Sequence, residues 1–173
     1  MTILGIDPGY AILGWGVIEY RASRYRLIGC GALKTAKDMA PAKRLKEIYD
    51  GLVGIIELYE PEVCAVEELF FNSNQKTAIR VGEARGAAML ACANAGLEVY
   101  EYTPLQIKQA LTGYGRADKH QIQEMVRQIL GLDEAPQPDD ASDAAAAAIC
   151  HANSSGFLDR VRRYEASADG RGV

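Results

Sequence analysis

Near residue 40 the hydrophobic period of this chain changes from that of strands to that of helices, and that change limits the folds open to it. Up to about residue 35, short β-rich segments alternate with turns, and Thr2–Asp7 runs into Asp-Pro-Gly, a turn sequence. From Ala42 to Tyr59, apolar residues recur at helical spacing with charged residues between them. Further strand and helix patterns then alternate. Such an order predicts an α/β layer built on a mixed sheet.

The individual elements follow from the same patterns. Three antiparallel strands are predicted first, over Thr2–Asp7, Leu13–Tyr20 and Tyr25–Thr35. The later predicted elements are, in order, the helix Ala42–Tyr59, the strand Glu62–Leu69, the helix Asn74–Asn94, the strand Leu97–Tyr102, a short helix from Thr103, and the helices Asp118–Leu130 and Asp139–Asn153. The right-handed crossover rule places Glu62–Leu69 parallel to Thr2–Asp7 and beside it. We predict one domain over residues 1–153, a five-stranded mixed sheet with helices on both faces, and a flexible tail over 154–173.

Composition excludes several classes of protein. No apolar run approaches the ~18–20 residues that span a bilayer, and the first residues lack a signal peptide's basic and apolar regions. The four cysteines stand far apart and there are only two histidines, so a zinc site or disulfide framework is not expected. These features favour a reduced cytoplasm and no membrane partner. The net charge of -4, taken alone, argues against nucleic acid as a partner.

Acidic residues stand at three places where a ligand site could form. Asp7 and the pair Glu67-Glu68 come at or near the carboxyl ends of apolar strands, the edge where open α/β sheets bind ligands. Asp139, Asp140 and Asp143 open the last helix, and either 140/143 or 139/143 puts two carboxylates on one face. Clustered carboxylates repel one another unless cations lie among them, and oxygen ligands suit Mg²⁺ or Mn²⁺. Two such ions ~3.5–4 Å apart support phosphodiester hydrolysis.

Structural explanations stand beside this one. Acids in a first helical turn are favoured by capping and by the helix dipole, and an aspartate before Pro-Gly is commonly a turn residue. Glu67-Glu68 is harder to explain structurally, because a buried acid in a central strand needs a cation or a partner. Alternation sends the two glutamates to opposite faces, so only one can join Asp7, and the apolar pattern does not say which.

Four segments together carry a resemblance to a known family: ILGIDPGYAILGWGVI, AVEELFFNSN, VGEARGAAM and PQPDDASDAAAAA. In this order and spacing, from about Thr2 to His151, they closely resemble the RuvC family of bacterial crossover-junction endodeoxyribonucleases, which have a ribonuclease-H-like fold. The resemblance implies Mg²⁺-dependent, symmetrical cutting of Holliday junctions by a homodimer that works with the RuvA–RuvB branch-migration complex. It also implies products with 5′-phosphate and 3′-hydroxyl ends.

Carried over by position, the resemblance selects four metal ligands from the acidic candidates: Asp7, Glu67, Asp140 and Asp143. Glu67 matches because it stands three residues before Phe70, which leaves Glu68 as a bystander. The spacing of three selects Asp140 and Asp143, so Asp139 becomes an N-cap candidate. Asp7 is the expected bridging ligand of two Mg²⁺ ions, for which Mn²⁺ may substitute, with Glu67 on one side and the helix pair on the other.

The candidate DNA contacts are aromatic and basic side chains. Either Phe70 or Phe71 could stack on an unpaired base or close the core, and the family match favours Phe70 as the stacking residue. Lys108 and Lys119 match lysines near the family's active site, where they suit phosphate contacts. Arg80 is a weaker candidate, as are two other arginines, Arg85 and Arg116, because a solvated helix face is the ordinary explanation.

Gly82 and Gly86 lie within a predicted helix, where glycine costs ~1 kcal/mol relative to alanine. The close approach of this domain's sheet or of a second subunit would account for them. A junction has two-fold symmetry, so a C₂ dimer follows if the substrate assignment is right.

Three other functions compete. An ATP-binding protein of the actin/sugar-kinase group would need two such domains, and no P-loop is present. A ribonuclease-H-like nuclease for RNA–DNA hybrids or simple duplexes shares the acids. A binding module without catalysis would have no need of all four acidic metal ligands. Setting the four proposed ligands aside changes the net charge from -4 to 0, so the acidic balance says little against DNA.

Overall fold

The computed structural model describes residues 1–68 and 75–169. Within these ranges it describes every side chain except those of residues 75, 76 and 157–169. Five strands form one sheet in the order β3-β2-β1-β4-β5. Their bounds are β1 Thr2–Asp7, β2 Ile12–Arg21, β3 Arg24–Lys34, β4 Val63–Glu67 and β5 Glu98–Tyr102. The first three strands pair antiparallel, whereas β4 pairs parallel with β1 and with β5. The predicted mixed sheet, with β4 beside β1, is therefore confirmed.

Five helices complete the described part of the chain: α1 Pro41–Tyr59, α2 Gln75–Asn94, α3 Pro104–Thr112, α4 Lys119–Leu130 and α5 Asp139–Asp169. Two of them begin with a capping box, in which Thr103 caps α3 and Asp118 caps α4. Helix α5 runs to Asp169, well past the predicted end at Asn153. None of the described helices is long and apolar enough to cross a membrane.

The sheet separates two apolar cores, so helices lie on both of its faces as predicted. One core joins the sheet to α3, α4 and α5, and it includes Ile3 of β1 and Ala65 of β4. The other joins the sheet to α1 and α2, and it includes Leu4 and Ile6 of β1. Because successive side chains of a strand point to opposite faces, the core that one residue of β1 or β4 joins also gives the face of the next residue.

Helix α5 packs directly on glycines of the sheet. A Cβ added to Gly5 would lie 1.9 Å from the Ala144 carbonyl oxygen, and one added to Gly14 would lie 1.9 Å from the Asp140 carbonyl oxygen. Gly16 meets the backbone of Ala145 almost as closely, at 3.1 Å. Only residues without a side chain allow this approach. The contact fixes the first turn of α5 against the carboxyl end of β1.

Candidate active site

The parallel register of β1 and β4 brings Asp7 and Glu67 to the same edge of the sheet. Ile6 pairs with Val66, and each strand ends at the residue that follows. Ile6 and Val66 both belong to the core of α1 and α2, so Asp7 and Glu67 turn to the α5 face. Side-chain alternation thus distinguishes Glu67 from Glu68, which the apolar pattern alone could not do.

Helix α5 adds the remaining acids from its first two turns, at the same edge. The charges of both Asp140 and Asp143 act on Asp7, and the charge of Asp143 also acts on Glu67. The contact between Gly14 and the Asp140 carbonyl oxygen holds this turn in place. All four predicted ligands therefore converge, from two strands and one helix.

The expectation that Asp139 caps α5 is wrong. The helix begins at Asp139 itself, and the Ala141 amide donates to the Pro138 carbonyl oxygen. The Asp139 carboxylate instead lies 3.2 Å from Lys119 Nζ, which is also 3.2 Å from an Asp143 carboxylate oxygen. Lys119 thus bridges two acids of α5, and it is the first residue of α4.

Burial and mutual repulsion make these carboxyl groups weak acids. Burial, followed by the charges of Glu67, Asp143 and Asp140, raises the pKa of Asp7 to about 7. Burial and the charge of Asp143 raise the pKa of Glu67 to about 7, and Lys108 opposes that rise. Burial also raises the pKa of Asp143, although the contact with Lys119 pulls in the other direction. Each carboxylate would be stabilised by a nearby cation.

Two lysines stand in the wall of the cavity beside these acids. It encloses about 210 Å³ and is lined by residues of β4, α3, α4 and α5: Glu67, Pro104, Ile107, Lys108, Lys119, Ile122, Asp143 and Ala146. Burial alone would lower the pKa of Lys119, but the charges and hydrogen bonds of Asp143 and Asp139 raise it. Both lysines lie beside the acidic side chains in this cavity, and their predicted contacts with phosphate remain a prediction.

The donor chemistry of the site fits a hard divalent cation. Asp7, Glu67, Asp140 and Asp143 offer only oxygen ligands, which suit Mg²⁺ and Mn²⁺. Within the described residues, no three His, Cys, Asp or Glu side chains stand close enough to form a ready metal cage.

The structure gives the other candidates different surroundings. Phe70 and Phe71 lie outside the described residues. Arg80 does not line the cavity beside the acids; its Nη1 instead donates to the Tyr10 hydroxyl, 3.0 Å away. Arg85 pairs with Glu101 of β5, a contact that ties α2 to the sheet. Arg116 is exposed, and the backbone amide of Glu68 donates to the Tyr102 carbonyl oxygen.

Sequence reasoning missed the support beneath the acids. Gly14 and Gly16 occupy alternate positions of β2, where an added Cβ would meet Asp140 and Ala145 of α5, and one added to Gly5 of β1 would meet Ala144 and Ala148. The signal was present, since glycines at every second strand position leave one face bare for a close neighbour. Sequence reasoning also missed Arg44, a buried cation of α1.

Comparison with known proteins agrees with this geometry. The family model described as "Crossover junction endodeoxyribonuclease RuvC" matches residues 3–151. A protein of that name from Caldanaerobacter subterraneus is 54% identical over 161 residues, covering 93% of this chain and 98% of the relative. Another, from Desulforamulus reducens, is 56% identical over 163 residues, covering 94% of this chain and 100% of the relative.

Solved structures give the same answer. The Thermus thermophilus RuvC structure superposes with a TM-score of 0.84 at 40% identity, covering 91% of this chain and 96% of the other. The T. thermophilus RuvC in complex with Holliday junction substrate superposes equally well, with a TM-score of 0.84 at 37% identity and the same coverage. With its ribonuclease-H-like sheet and its acids at the carboxyl edge of β1 and β4, this chain belongs to the RuvC family of crossover junction endodeoxyribonucleases.

Proposed function

We propose that this protein resolves four-way DNA junctions in recombination and repair by metal-dependent phosphodiester hydrolysis. The observation that carries the proposal is the convergence of Asp7, Glu67, Asp140 and Asp143 at one sheet edge, with Lys108 and Lys119 beside them. A catalytic carboxylate cluster with basic walls suits an anionic substrate that must approach bound cations. Products with 5′-phosphate and 3′-hydroxyl ends follow from the family resemblance.

Two Mg²⁺ ions, replaceable by Mn²⁺, are the proposed cofactors. Asp7 would be the ligand shared by both ions in this proposal, because the charges of all three other acids act on it. Glu67 serves one ion, and Asp140 and Asp143 serve the other. When bound, such ions activate water and stabilise the leaving oxygen. Lys119 neutralises Asp139 and Asp143 in the free protein and offers its charge to the scissile phosphate once DNA is present.

The proposed DNA contacts divide by location. Lys108 and Lys119 lie in the catalytic cavity, where they serve the scissile phosphate and its neighbours. Phe70, three residues after Glu67, is proposed to stack on an unpaired base at the junction. Arg80 lies on the other side of β1 and is proposed to contact the DNA backbone.

The outward face of α2 supports a homodimer. Ile79 and Leu90 are 63% and 55% exposed, and an added Cβ at Gly86 would meet nothing within 4 Å among the described residues. At spacings of seven and four, these three residues share one helix face. An exposed apolar stripe around a glycine can pack against the same stripe of a second copy that is related by two-fold symmetry. One dimer then presents two sites to the two strands of one junction.

The remaining partners follow from the resemblance. We propose that the RuvA–RuvB branch-migration complex delivers the junction to this dimer. All four cysteines are free thiols, three of them buried, which supports a place in the reduced cytoplasm.

A substrate panel tests the proposed function. A labelled four-way junction, a linear duplex and an RNA–DNA hybrid are incubated with the wild type or Asp7→Asn, in Mg²⁺ or in EDTA. Paired, symmetrical nicks are expected in the junction alone, and only for the wild type in Mg²⁺. Cleavage of the hybrid would indicate a different ribonuclease-H-like nuclease, and equal activity in EDTA would rule out the metal-dependent reaction.

A further inference from the structure

A second groove lies across the sheet from the catalytic cavity. It encloses about 680 Å³ and is lined by the loop after β1 together with residues before and within α1 and α2: Gly9, Tyr10, Ala11, Ile12, Lys37, Arg44, Thr77, Arg80 and Val81. The catalytic cavity is walled by α3, α4 and α5, whereas this groove is walled by α1 and α2. The loop that lines it begins directly after Asp7, so one end of the groove starts close to the acidic edge of the sheet in the chain.

Arg44 in the wall of this groove is a buried charge without an acidic partner. It is 8% exposed, and no described carboxylate forms an ion pair with it. Its Nε donates to Thr35 Oγ1 at 2.8 Å and its Nη2 to the Tyr10 carbonyl oxygen at 3.2 Å. Neutral acceptors satisfy some of its N–H groups but leave its charge uncompensated. An anion in the groove would supply the missing counter-charge.

Tyr10 holds two arginines at this wall. The Arg44 guanidinium lies 4.0 Å from the centre of the Tyr10 ring, and the Arg80 guanidinium lies 5.2 Å from it. Arg80 Nη1 also donates to the Tyr10 hydroxyl. Cation–π contacts orient guanidinium groups while leaving their charge intact. The two arginines are thereby held in fixed positions at the groove.

The charges at the groove are predominantly positive. Lys37, Arg44 and Arg80 line it, and no acidic residue among those that the structure describes does so. Two acids stand close by: Glu83 lies 3.6 Å from Arg80 on the surface of α2, and Asp38 follows Lys37 in the chain. An exposed ion pair such as Arg80–Glu83 is weak enough to exchange for a phosphate.

We propose that this groove binds the DNA phosphodiester backbone on the side of the scissile phosphate opposite to Lys108 and Lys119. The proposal rests on the proposed function and adds a second anchor to it. Arg44 supplies a fixed charge in the wall, while Lys37 and Arg80 contact phosphates at the rim. DNA crossing the carboxyl edge of β1 is then held on both sides of the catalytic acids, and the scissile phosphate lies between the two anchors.

The salt dependence of junction binding tests this anchor. Binding is measured by fluorescence anisotropy in an Asp7→Asn background, which prevents cleavage, and Lys37→Ala/Arg80→Ala is compared with Lys46→Ala. Lys46 is an exposed lysine of α1 that pairs with Asp50 and lies outside both depressions. Each lost phosphate contact should reduce the slope of log K against log salt by about 0.9, and weaken binding about tenfold at 0.1 M salt. The Lys46→Ala slope should not change.

Phosphate-ethylation interference locates the contacts. With the Asp7→Asn protein, ethylation should interfere on both sides of the scissile phosphate, and Lys37→Ala/Arg80→Ala should remove interference on one side only. Lys108→Ala should remove it on the other. If the double variant keeps both sets and the unchanged salt slope, the groove does not bind DNA. That result leaves the proposed function intact, whereas failure of the wild type to bind or cut a junction overturns the function itself.

Arg44 is tested separately because its loss can disturb folding. Arg44→Lys keeps the charge and should retain most of the interference pattern, whereas Arg44→Gln should lose contacts on the groove side. Thermal unfolding of both variants identifies any general loss of stability. Equal interference patterns for the Lys and Gln variants, in folded proteins, would contradict a role for the Arg44 charge.

Discussion

At the scale of single residues, the site is organised around the cost of burying Asp7 among other acids. A carboxyl group with a pKa near 3.8 when unfolded and about 7 when folded binds its proton more tightly in the folded protein. The metal-free protein therefore loses stability as pH rises from about 4 to about 7, and the full penalty remains above that range. Glu67 contributes with the same sign.

We predict that Asp7→Asn stabilises the metal-free protein. The amide cannot ionise, so the advantage of the variant should grow from pH 5 to pH 7 and then level off, reaching on the order of 2 kcal/mol. Thermal or urea unfolding in EDTA across this range measures it. Asp50→Asn, at an exposed acid paired with Lys46, is the control and should show no such growth. An advantage that is constant with pH, or one that shrinks, would contradict the predicted repulsion.

The residue types of the site could be predicted from sequence, but their partners could not. The pair Glu67-Glu68 stood out because a buried acid in an apolar strand needs a cation or a partner, whereas Asp7 before Pro-Gly also had a turn explanation. The contact of Asp139 with Lys119 joins the starts of two helices that are 20 residues apart in the chain. Nothing in the local spacing of either helix encodes that distance. Arg44 could not be singled out either, because it occurs among other charged residues of an amphipathic helix.

At the scale of elements, the glycines of the sheet position α5 and with it Asp140 and Asp143. Alternation and helical period predicted the order and type of these elements, because each element buries one face. The closeness of α5 to β1 and β2 depends instead on side chains that are missing on one surface and small on the other. This close packing depends on the two surfaces together, so it cannot be predicted from the sequence pattern of either element alone.

We predict that Gly14→Ala both destabilises the protein and reduces cleavage. Its Cβ would lie 1.9 Å from the Asp140 carbonyl oxygen, so the first turn of α5 must move. We expect a loss of about 1–3 kcal/mol in unfolding free energy. Cleavage should fall even where the protein is fully folded, because Asp140 and Asp143 move with the turn.

Gly54→Ala is the matched control. Gly54 is exposed in the middle of α1, and a Cβ there would meet nothing within 4 Å among the described residues. Alanine should stabilise the helix by about 0.5–1 kcal/mol and leave cleavage unchanged. If Gly14→Ala behaves like Gly54→Ala in urea unfolding and in cleavage rate, the proposed role of the sheet glycines is wrong.

At the scale of the whole molecule, paired cutting requires two sites in one particle. We predict that Leu90→Glu, on the exposed face of α2, converts a dimer to a monomer as measured by light scattering. Single nicks should replace paired nicks, because one monomer carries one site. Leu58→Glu is the control, since Leu58 is 72% exposed but belongs to α1 and not to α2. A Leu90→Glu protein that remains dimeric would remove α2 from the interface.

The carboxylates at the edge of β1 and β4 are proposed to hold ions that contact the scissile phosphate. Metal rescue tests this contact: a sulfur replaces one non-bridging oxygen at the scissile phosphate of a four-way junction, and single-turnover cleavage is measured in Mg²⁺ and in Mn²⁺. Because Mn²⁺ accepts sulfur more readily than Mg²⁺ does, one sulfur isomer should be cut at least about tenfold more slowly in Mg²⁺ and regain its rate in Mn²⁺. An equal effect of sulfur in both metals, for both isomers, would contradict direct contact between the ions and the phosphate.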